Sequence, residues 1–222
     1  MKIAKLAGLA LFCAALGGAA AHADTLYSNG PINGETNAWT INFGFSVADS
    51  FTIGSTSSIT GMDFGTWNFP GSSSSSVDWA ILTGEPGSGT VLFSGTASLT
   101  DTAVTTNGFG YSIDLDTLSL SGISLTSGTY WVELSNIVDS QGNPVFWDIN
   151  GGPSQAWESD SGDVTTCPDG QSGPNNRCST AFDIFGNAVS DVPEPGSIWL
   201  LTAALSMFGL GFAFRRHTGT EI

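Results

Sequence analysis

The sequence has very few basic residues and almost no histidine. Its 222 residues include five lysines and arginines and two histidines, against 20 aspartates and glutamates. Between residues 24 and 191 there is no histidine, and the single basic side chain is Arg177. Only Glu194 and Glu221 among the acidic residues lie outside this segment. The segment therefore has 18 acidic residues and one basic residue, a formal charge of −17.

This composition excludes several classes of function for the segment. Nucleic acids and anionic lipid surfaces are bound through lysine and arginine, which are nearly absent. Serine or cysteine nucleophiles activated by histidine are excluded, because there is no imidazole to take the proton. Zinc sites built on histidine are excluded for the same reason. The remaining chemistry is carboxylate catalysis and the binding of hard cations.

Cysteine is scarce as well, with three residues in the chain. Cys13 lies in the apolar N-terminal run, and Cys167 and Cys178 flank a short polar stretch. If the chain is exported, as its N-terminal residues predict (see the next paragraph), Cys167 and Cys178 are expected to form a disulfide bond. The alternative is a reactive or metal-binding thiol pair, for which Arg177 is the one basic neighbour.

The N-terminal residues 1–23 have the three parts of a secretory signal peptide. Lys2 and Lys5 precede an unbroken apolar run, and Ala21-His22-Ala23 is a small-x-small cleavage site. We therefore predict a signal helix that is removed by signal peptidase between Ala23 and Asp24. The alternative is a short membrane anchor.

Residues 24–191 predict one all-β domain. Sustained helical spacing is absent, and short β-rich runs alternate with glycine, serine and asparagine turns. Apolar and polar side chains alternate in residues 39–47 and 110–116, which predicts strands with one buried face and one solvent-exposed face. Residues 77–99 predict a hairpin around Gly84-Glu85-Pro86-Gly87. The predicted fold is an antiparallel β-sandwich, jelly-roll-like in form.

The C-terminal segment 192–217 combines three features in order. Pro193-Glu194-Pro195 is followed by an apolar run over residues 198–214 and then by Arg215 and Arg216. This pattern resembles the PEP-CTERM sorting segment, which is processed by an exosortase in Gram-negative bacteria. The resemblance implies export, transient insertion in the inner membrane, and cleavage at the Pro-Glu-Pro motif. The alternative is a permanent single-pass anchor.

The physical properties of this tail agree with the resemblance. A helix of 17 residues spans roughly 25 Å, slightly less than a bilayer core of roughly 30 Å, so it would insert marginally. Arg215 and Arg216 would stay cytoplasmic by the positive-inside rule. The two prolines keep the backbone extended, as a protease requires. The predicted location after cleavage is the cell surface or the extracellular matrix.

The ectodomain also resembles a recurring PEP-CTERM β-sandwich, at residues 49–67, 91–99, 125–136, 145–152 and 181–186. The resemblance implies a fold and no catalytic residues. We expect a structural or adhesive surface protein that is not an enzyme, with extracellular polysaccharide as a candidate partner. One alternative is a carbohydrate-binding module in which Trp147 and Trp157 contact a glycan beside Asp148, Asn150 and Gln155. Against it stands the interpretation that these tryptophans fill the core of the sandwich, which is favoured for Trp147 and is about as good as glycan contact for Trp157. The other is a glycosidase based on two carboxylates.

No cofactor and no metal site are expected, with calcium as the alternative. Two acidic stretches carry that alternative: Asp139 to Asn143, which has oxygen side chains at alternate positions, and the group of Glu158, Asp160 and Asp163. Neither matches the EF-hand pattern. Stretches of this kind are more often solvated turns than calcium sites.

Overall fold

Every regular element of the described residues is a β-strand. The computed structural model describes residues 23–35, 37–160, 163–166 and 178–189, with the backbone alone for residues 163–166. The strands are β1 Asp24–Ser28, β2 Asn37–Thr40, β3 Phe45–Ile53, β4 Ser57–Asn68, β5 Ser74–Leu82, β6 Val91–Thr106, β7 Ser112–Leu125, β8 Gly128–Asp139, β9 Phe146–Asn150, β10 Trp157–Asp160, β11 Asp163–Thr166, β12 Ser179–Thr180 and β13 Phe182–Ala188. Within these ranges there is no helix of the length and hydropathy that a membrane span requires.

The strand pairs are all antiparallel and form one continuous sheet in the described residues. The order is β1-β13-β4-β7-β6-β5-β8-β3-β10-β11. Strand β9 pairs with β4, β2 and β12 outside this path. The predicted all-β, antiparallel class and the predicted hairpin, formed by β5 and β6, are confirmed. The signal helix and the helix at residues 198–214 lie outside the described residues.

The long strand β6 makes the two layers one curled sheet. Its first half, Val91–Ser98, pairs with β5, and its second half, Leu99–Thr106, pairs with β7. As a result, strands far apart in the sheet order face each other. The contact between Tyr27 in β1 and Phe51 in β3, with ring centroids 6.3 Å apart, shows this. The result is sandwich-like, while the specific jelly-roll connectivity stays a prediction.

A single apolar core lies between the facing halves of the sheet. Its largest buried side chains come from strands across the whole order: Trp147, Phe51, Phe64, Ile41, Ile53, Ile59, Met62, Ile81, Ile113, Leu118, Leu125 and Leu134. Trp147 meets Phe64 and Phe182 edge-on, at centroid distances of 6.0 and 5.7 Å. Each fully buried side chain of this size stabilises the fold by about 1.5–3 kcal/mol.

The predicted strand over residues 39–47 is wrong, because a turn divides it. β2 ends at Thr40 and β3 begins at Phe45. Phe43 and Gly44 have φ angles of 56° and 95°, which reverse the chain and leave Phe43 64% exposed. The Asn42 side chain fixes the turn by donating to the carbonyl oxygen of Asn143 and accepting from the amide of Val145.

Candidate binding site

A groove on the outer face of the sheet contains two half-buried tryptophans. Trp131 of β8 and Trp157 of β10 line it together with Ser50 of β3. Glu85, from the β5–β6 turn, and the connection at residues 153–155 complete the lining. The volume is about 440 Å³, within the range of ligand-binding clefts. We call this feature the tryptophan groove.

Strand register brings the two indoles to one face. β3 lies between β8 and β10, with Ser50 opposite Trp131 and Ala48 opposite Trp157. Since side chains two apart share a face, all four residues lie on the side away from the core. With strands about 4.8 Å apart and a rise of about 3.4 Å per residue, the two tryptophan Cα atoms lie roughly 12 Å apart. Ser50 lines the groove together with the two tryptophans, whereas Ala48 is buried.

The connection at residues 153–155 is held in place by buried hydrogen bonds. The Ser154 hydroxyl donates to Asn29 Oδ1 at 2.9 Å, and the amide of Ala156 donates to the carbonyl oxygen of Cys178 at 2.5 Å. Asn150 Oδ1 accepts from the amide of Gly152 at 2.8 Å. One wall of the groove is therefore preorganised, which lowers the entropic cost of binding.

The chemistry of the tryptophan groove suits an uncharged ligand with many hydroxyl groups. The two indoles supply apolar faces, and Ser50, Glu85 and Gln155 supply hydrogen-bonding groups at the rim. The carboxylate of Glu85 and the acidic character of the whole segment disfavour anions.

The structure corrects one of the two candidate glycan contacts. Trp147 has no exposed surface, and its indole nitrogen donates to the carbonyl oxygen of Ala181 at 3.0 Å inside the core. It cannot contact a glycan, and the neighbouring Asp148 and Asn150 are buried as well. Trp157 and Gln155, in contrast, line the groove.

Trp131 is the groove residue that the sequence analysis missed. The signal was present in β8, where Val132 and Leu134 are buried in alternation with Trp131 and Glu133. A tryptophan on the opposite face from two buried aliphatic residues lies on the outer face of the sheet. Its partner Trp157 is distant in sequence, so their proximity depends on the strand order.

A second, smaller cavity of about 250 Å³ lies beside an aromatic cluster. Trp67, Phe109, Tyr111 and Phe146 line it, and Phe109 stacks on Trp67 with centroids 5.8 Å apart. The Trp67 indole donates to Asp148 Oδ1 at 2.6 Å, so its polar edge is already used. Trp67 is only 5% exposed, which makes this cavity a weaker candidate for stacking on a ligand.

Asp114 and Asp116 of β7, which the sequence predicts on a solvent-exposed face, are buried. Asp114 accepts from Asn68 Nδ2 at 2.7 Å, and Asp116 accepts from Thr66 Oγ1 at 2.8 Å. The strand register places Asp101 of β6 opposite Asp116. Desolvation, with the nearby carboxylates of Asp101 and Asp114, raises the pKa of Asp116 to about 7.

Asp49 and Asp148 are two further buried carboxyl groups, and each joins separate segments. Asp49 Oδ2 accepts from the amide and hydroxyl of Thr180 and from Asn29 Nδ2. Asp148 accepts from the amides of Asn33 and Gly34. Burial raises the pKa of each to about 6. Their satisfied hydrogen bonds assign them structural roles.

The two acidic stretches considered for calcium lie in a turn and in a β-hairpin. Asp139 Oδ1 accepts from the amides of Gln141 and Asn143, which closes a turn. Glu158 and Asp160 lie in β10, which pairs with β11, so they form a hairpin and not a loop. The side chain of Asp163 is outside the described part. Within that part, no three acidic, histidine or cysteine side chains are grouped as a metal site.

Several predicted processing residues lie outside the described residues. These are the signal peptide up to His22, Cys167, the motif Pro193-Glu194-Pro195, and Arg215 and Arg216. Cys178 is described and fully buried, and its disulfide bond with Cys167 stays a prediction. Asp24 is the first residue of β1, so cleavage after Ala23 would leave the strand intact.

The fold places the described residues in the class of all-β antiparallel domains, with a groove on the outer face of the sheet. The comparison with protein families then gives the sorting class, because residues 191–216 match the model of the PEP-CTERM protein-sorting motif. The chain therefore carries a PEP-CTERM motif, which implies exosortase-dependent sorting of a secreted protein to the cell envelope. A comparison with curated proteins gave no match.

Proposed function

We propose that this chain is an exported surface protein whose ectodomain, residues 24–191, is a non-catalytic structural or adhesive module. Its destination is the envelope surface or extracellular matrix of a Gram-negative bacterium. The PEP-CTERM match at residues 191–216 carries the proposal, because that motif is a sorting signal. The acidic ectodomain adds support, since strong net charge keeps a surface protein soluble.

The proposed processing has two cleavages. Signal peptidase cuts between Ala23 and Asp24, and exosortase cuts at Pro193-Glu194-Pro195 while residues 198–214 hold the chain in the inner membrane. Arg215 and Arg216 stop transfer on the cytoplasmic side. The last strand of the described residues ends at Ala188, five residues before Pro193 in the sequence. The processed protein would be the β domain with a short C-terminal extension.

The chemistry of the tryptophan groove supports binding over hydrolysis. Glycoside hydrolysis requires two carboxyl groups across the scissile bond. Of the described residues that line the groove, Glu85 is the one carboxylate. We therefore rank a carbohydrate-binding role second to structural adhesion, and a carboxylate-based glycosidase third. Hydrolysis of any member of a polysaccharide panel by the purified protein would overturn the non-catalytic assignment.

The sorting proposal is tested by the intact mass of the protein recovered from its own cells. We expect a chain that starts at Asp24 and ends near Pro193–Pro195. Glu194→Ala should remove the second cleavage, so that the chain runs to Ile222 and stays in the inner-membrane fraction. The matched control is Glu221→Ala, which removes an acidic residue outside the motif and should be processed normally. A native chain that ends at Ile222 would show a permanent anchor.

A further inference from the structure

Trp131 and Trp157 are large apolar side chains that lie outside the apolar core. Both are half-buried, and neither belongs to the apolar core or to the partly buried side chains that pack against it. Two indoles that share one exposed groove mark a binding surface more strongly than scattered exposed apolar residues do. The fold therefore leaves their exposed ring surfaces available to a ligand.

We propose that the tryptophan groove binds a segment of a neutral polysaccharide, with Trp131 and Trp157 each stacking on a sugar ring. This inference deepens the proposed function and rests on it, because it names the partner to which the ectodomain adheres. The roughly 12 Å separation of the two Cα atoms exceeds the size of one ring. The ligand is therefore a chain of linked sugars that spans both indoles.

Charge and hydrogen bonding select a neutral polymer. The faces of sugar rings carry C–H groups that pack on indole, and their edges carry hydroxyls that can bond to Ser50, Glu85 and Gln155. A uronic-acid polymer would bring negative charge to Glu85 and to a segment of net charge −17. A neutral glucan or mannan avoids that repulsion.

Preformed geometry makes the groove a fixed site. Trp131 lies in a strand paired on both sides, with β3 and with β5. Trp157 pairs with Ala48 of β3, and the preceding connection is held by the Ser154–Asn29 hydrogen bond. Because the backbone positions are fixed before binding, little ordering entropy is lost on association.

The test is calorimetric titration of the exported protein, purified from its cells, with soluble oligosaccharides of cellulose, laminarin and mannan, and with alginate as the anionic comparison. We expect binding of at least one neutral oligosaccharide and weaker binding of alginate. Trp131→Ala and Trp157→Ala should each lower the affinity by about tenfold, a change of about 1.4 kcal/mol in binding free energy. Trp131→Phe and Trp157→Phe should retain part of it.

The matched control is Phe43→Ala, which removes an exposed aromatic ring from the β2–β3 turn, outside the groove, and should leave the affinity unchanged. Circular dichroism of each variant verifies that it is folded. Absence of binding to every neutral oligosaccharide, tighter binding of alginate, or equal losses in the Phe43 variant would each overturn the inference. The intact mass separates this result from a failure of sorting, because a correctly processed protein that binds no glycan disproves the groove assignment alone.

Discussion

At the scale of single residues, the buried carboxyl group of Asp116 should make the stability of the folded protein depend on pH. The side chain has no exposed surface, its Oδ1 lacks a hydrogen-bond partner, and its pKa is raised to about 7. A folded-state pKa above the ordinary value means that the native protein holds the proton more tightly than the unfolded chain. The resulting stability is complete below about pH 4 and is lost as the pH rises through about 7.

We therefore predict that Asp116→Asn stabilises the protein at pH 8. The amide is nearly isosteric, is uncharged, and keeps an oxygen that can accept from Thr66 Oγ1. The free energy of unfolding should rise by about 2 kcal/mol at pH 8, and change little at pH 4, where the native carboxyl is already protonated. Thermal unfolding followed by circular dichroism across this pH range measures the effect.

Asp78→Asn is the matched control for this prediction. Asp78 is partly exposed and accepts from Thr96 Oγ1 and Asn136 Nδ2, and these hydrogen bonds lower its pKa. Its charged form is favoured in the folded state, so the substitution should lower stability at pH 8, the opposite direction. Identical pH profiles for the native protein and the Asp116 variant would contradict the assignment of a raised pKa.

Two tryptophans show what sequence can and cannot predict about a single residue. Trp147 and Trp157 flank the same polar stretch, and the sequence offered both as candidate glycan contacts. Residues 147–150 of β9 are all buried, so alternation does not mark an outer face there. In β10, Trp157 pairs with Ala48 of β3, and the neighbouring Val47 points into the core. Because successive side chains in a strand alternate faces, Ala48 and its partner Trp157 lie on the opposite face. Burial of Trp147 was therefore decided by tertiary packing.

At the scale of elements, alternation located strand residues but missed the turn within residues 39–47, and it predicted the exposed face of β7 incorrectly. β7 lies where residues 110–116 indicated a strand, but its polar side chains Asp114 and Asp116 are buried. The reason is that β4 supplies Thr66 and Asn68 as hydrogen-bond partners. Whether a polar face is buried depends on what packs over it and on the partners that neighbouring strands supply, which one strand's sequence cannot reveal.

Strand β13 gives the element-scale prediction. It lies between β1 and β4, and Gly186 pairs with Asp24 on one side and Ile59 on the other. A Cβ atom at residue 186 would collide with the carbonyl oxygen of Ser58. Gly186→Ala should therefore lower the free energy of unfolding by about 1–3 kcal/mol, as overpacking does elsewhere. Guanidinium denaturation measures this change.

Gly108→Ala is the control for this substitution. Gly108 lies in the exposed β6–β7 connection, and a Cβ atom there meets nothing within 4 Å. The free energy of unfolding of this variant should stay within about 0.5 kcal/mol of the native value, so its denaturation midpoint should change little. Equal midpoints for both alanine variants would mean that β13 shifts freely between its neighbours. The pairing of Asp24 with Gly186 would then be a loose contact.

At the scale of the whole molecule, the sequence predicted the sorting route better than the ligand. The order of the predicted signal peptide, the β domain and the C-terminal motif is a linear property of the chain, and the motif is confirmed by the family match. A binding groove depends on which strands become neighbours. β3 pairs with both β8 and β10, and nothing in the local sequence of β3 indicates this.

The scarcity of basic residues gives the last prediction. With 18 acidic residues and one basic residue between residues 24 and 191, charge repulsion opposes folding at pH 8. Sodium chloride should raise the melting temperature, because screening acts over about 10 Å at 0.1 M salt. At pH 4 the increase should be smaller, since many carboxylates are then neutral.

Divalent cations separate screening from a specific calcium site. At equal ionic strength, calcium and magnesium should raise the melting temperature by similar amounts if the effect is screening alone. A larger rise with calcium, reversed by a chelator, would instead identify a bound ion, because calcium accepts six to eight oxygen ligands while magnesium requires a strict octahedron. Asp139→Asn would then test the turn at residues 139–143, and Glu158→Gln would test the β10–β11 hairpin. Screening is the expected result, since Asp139 Oδ1 already accepts two backbone amides.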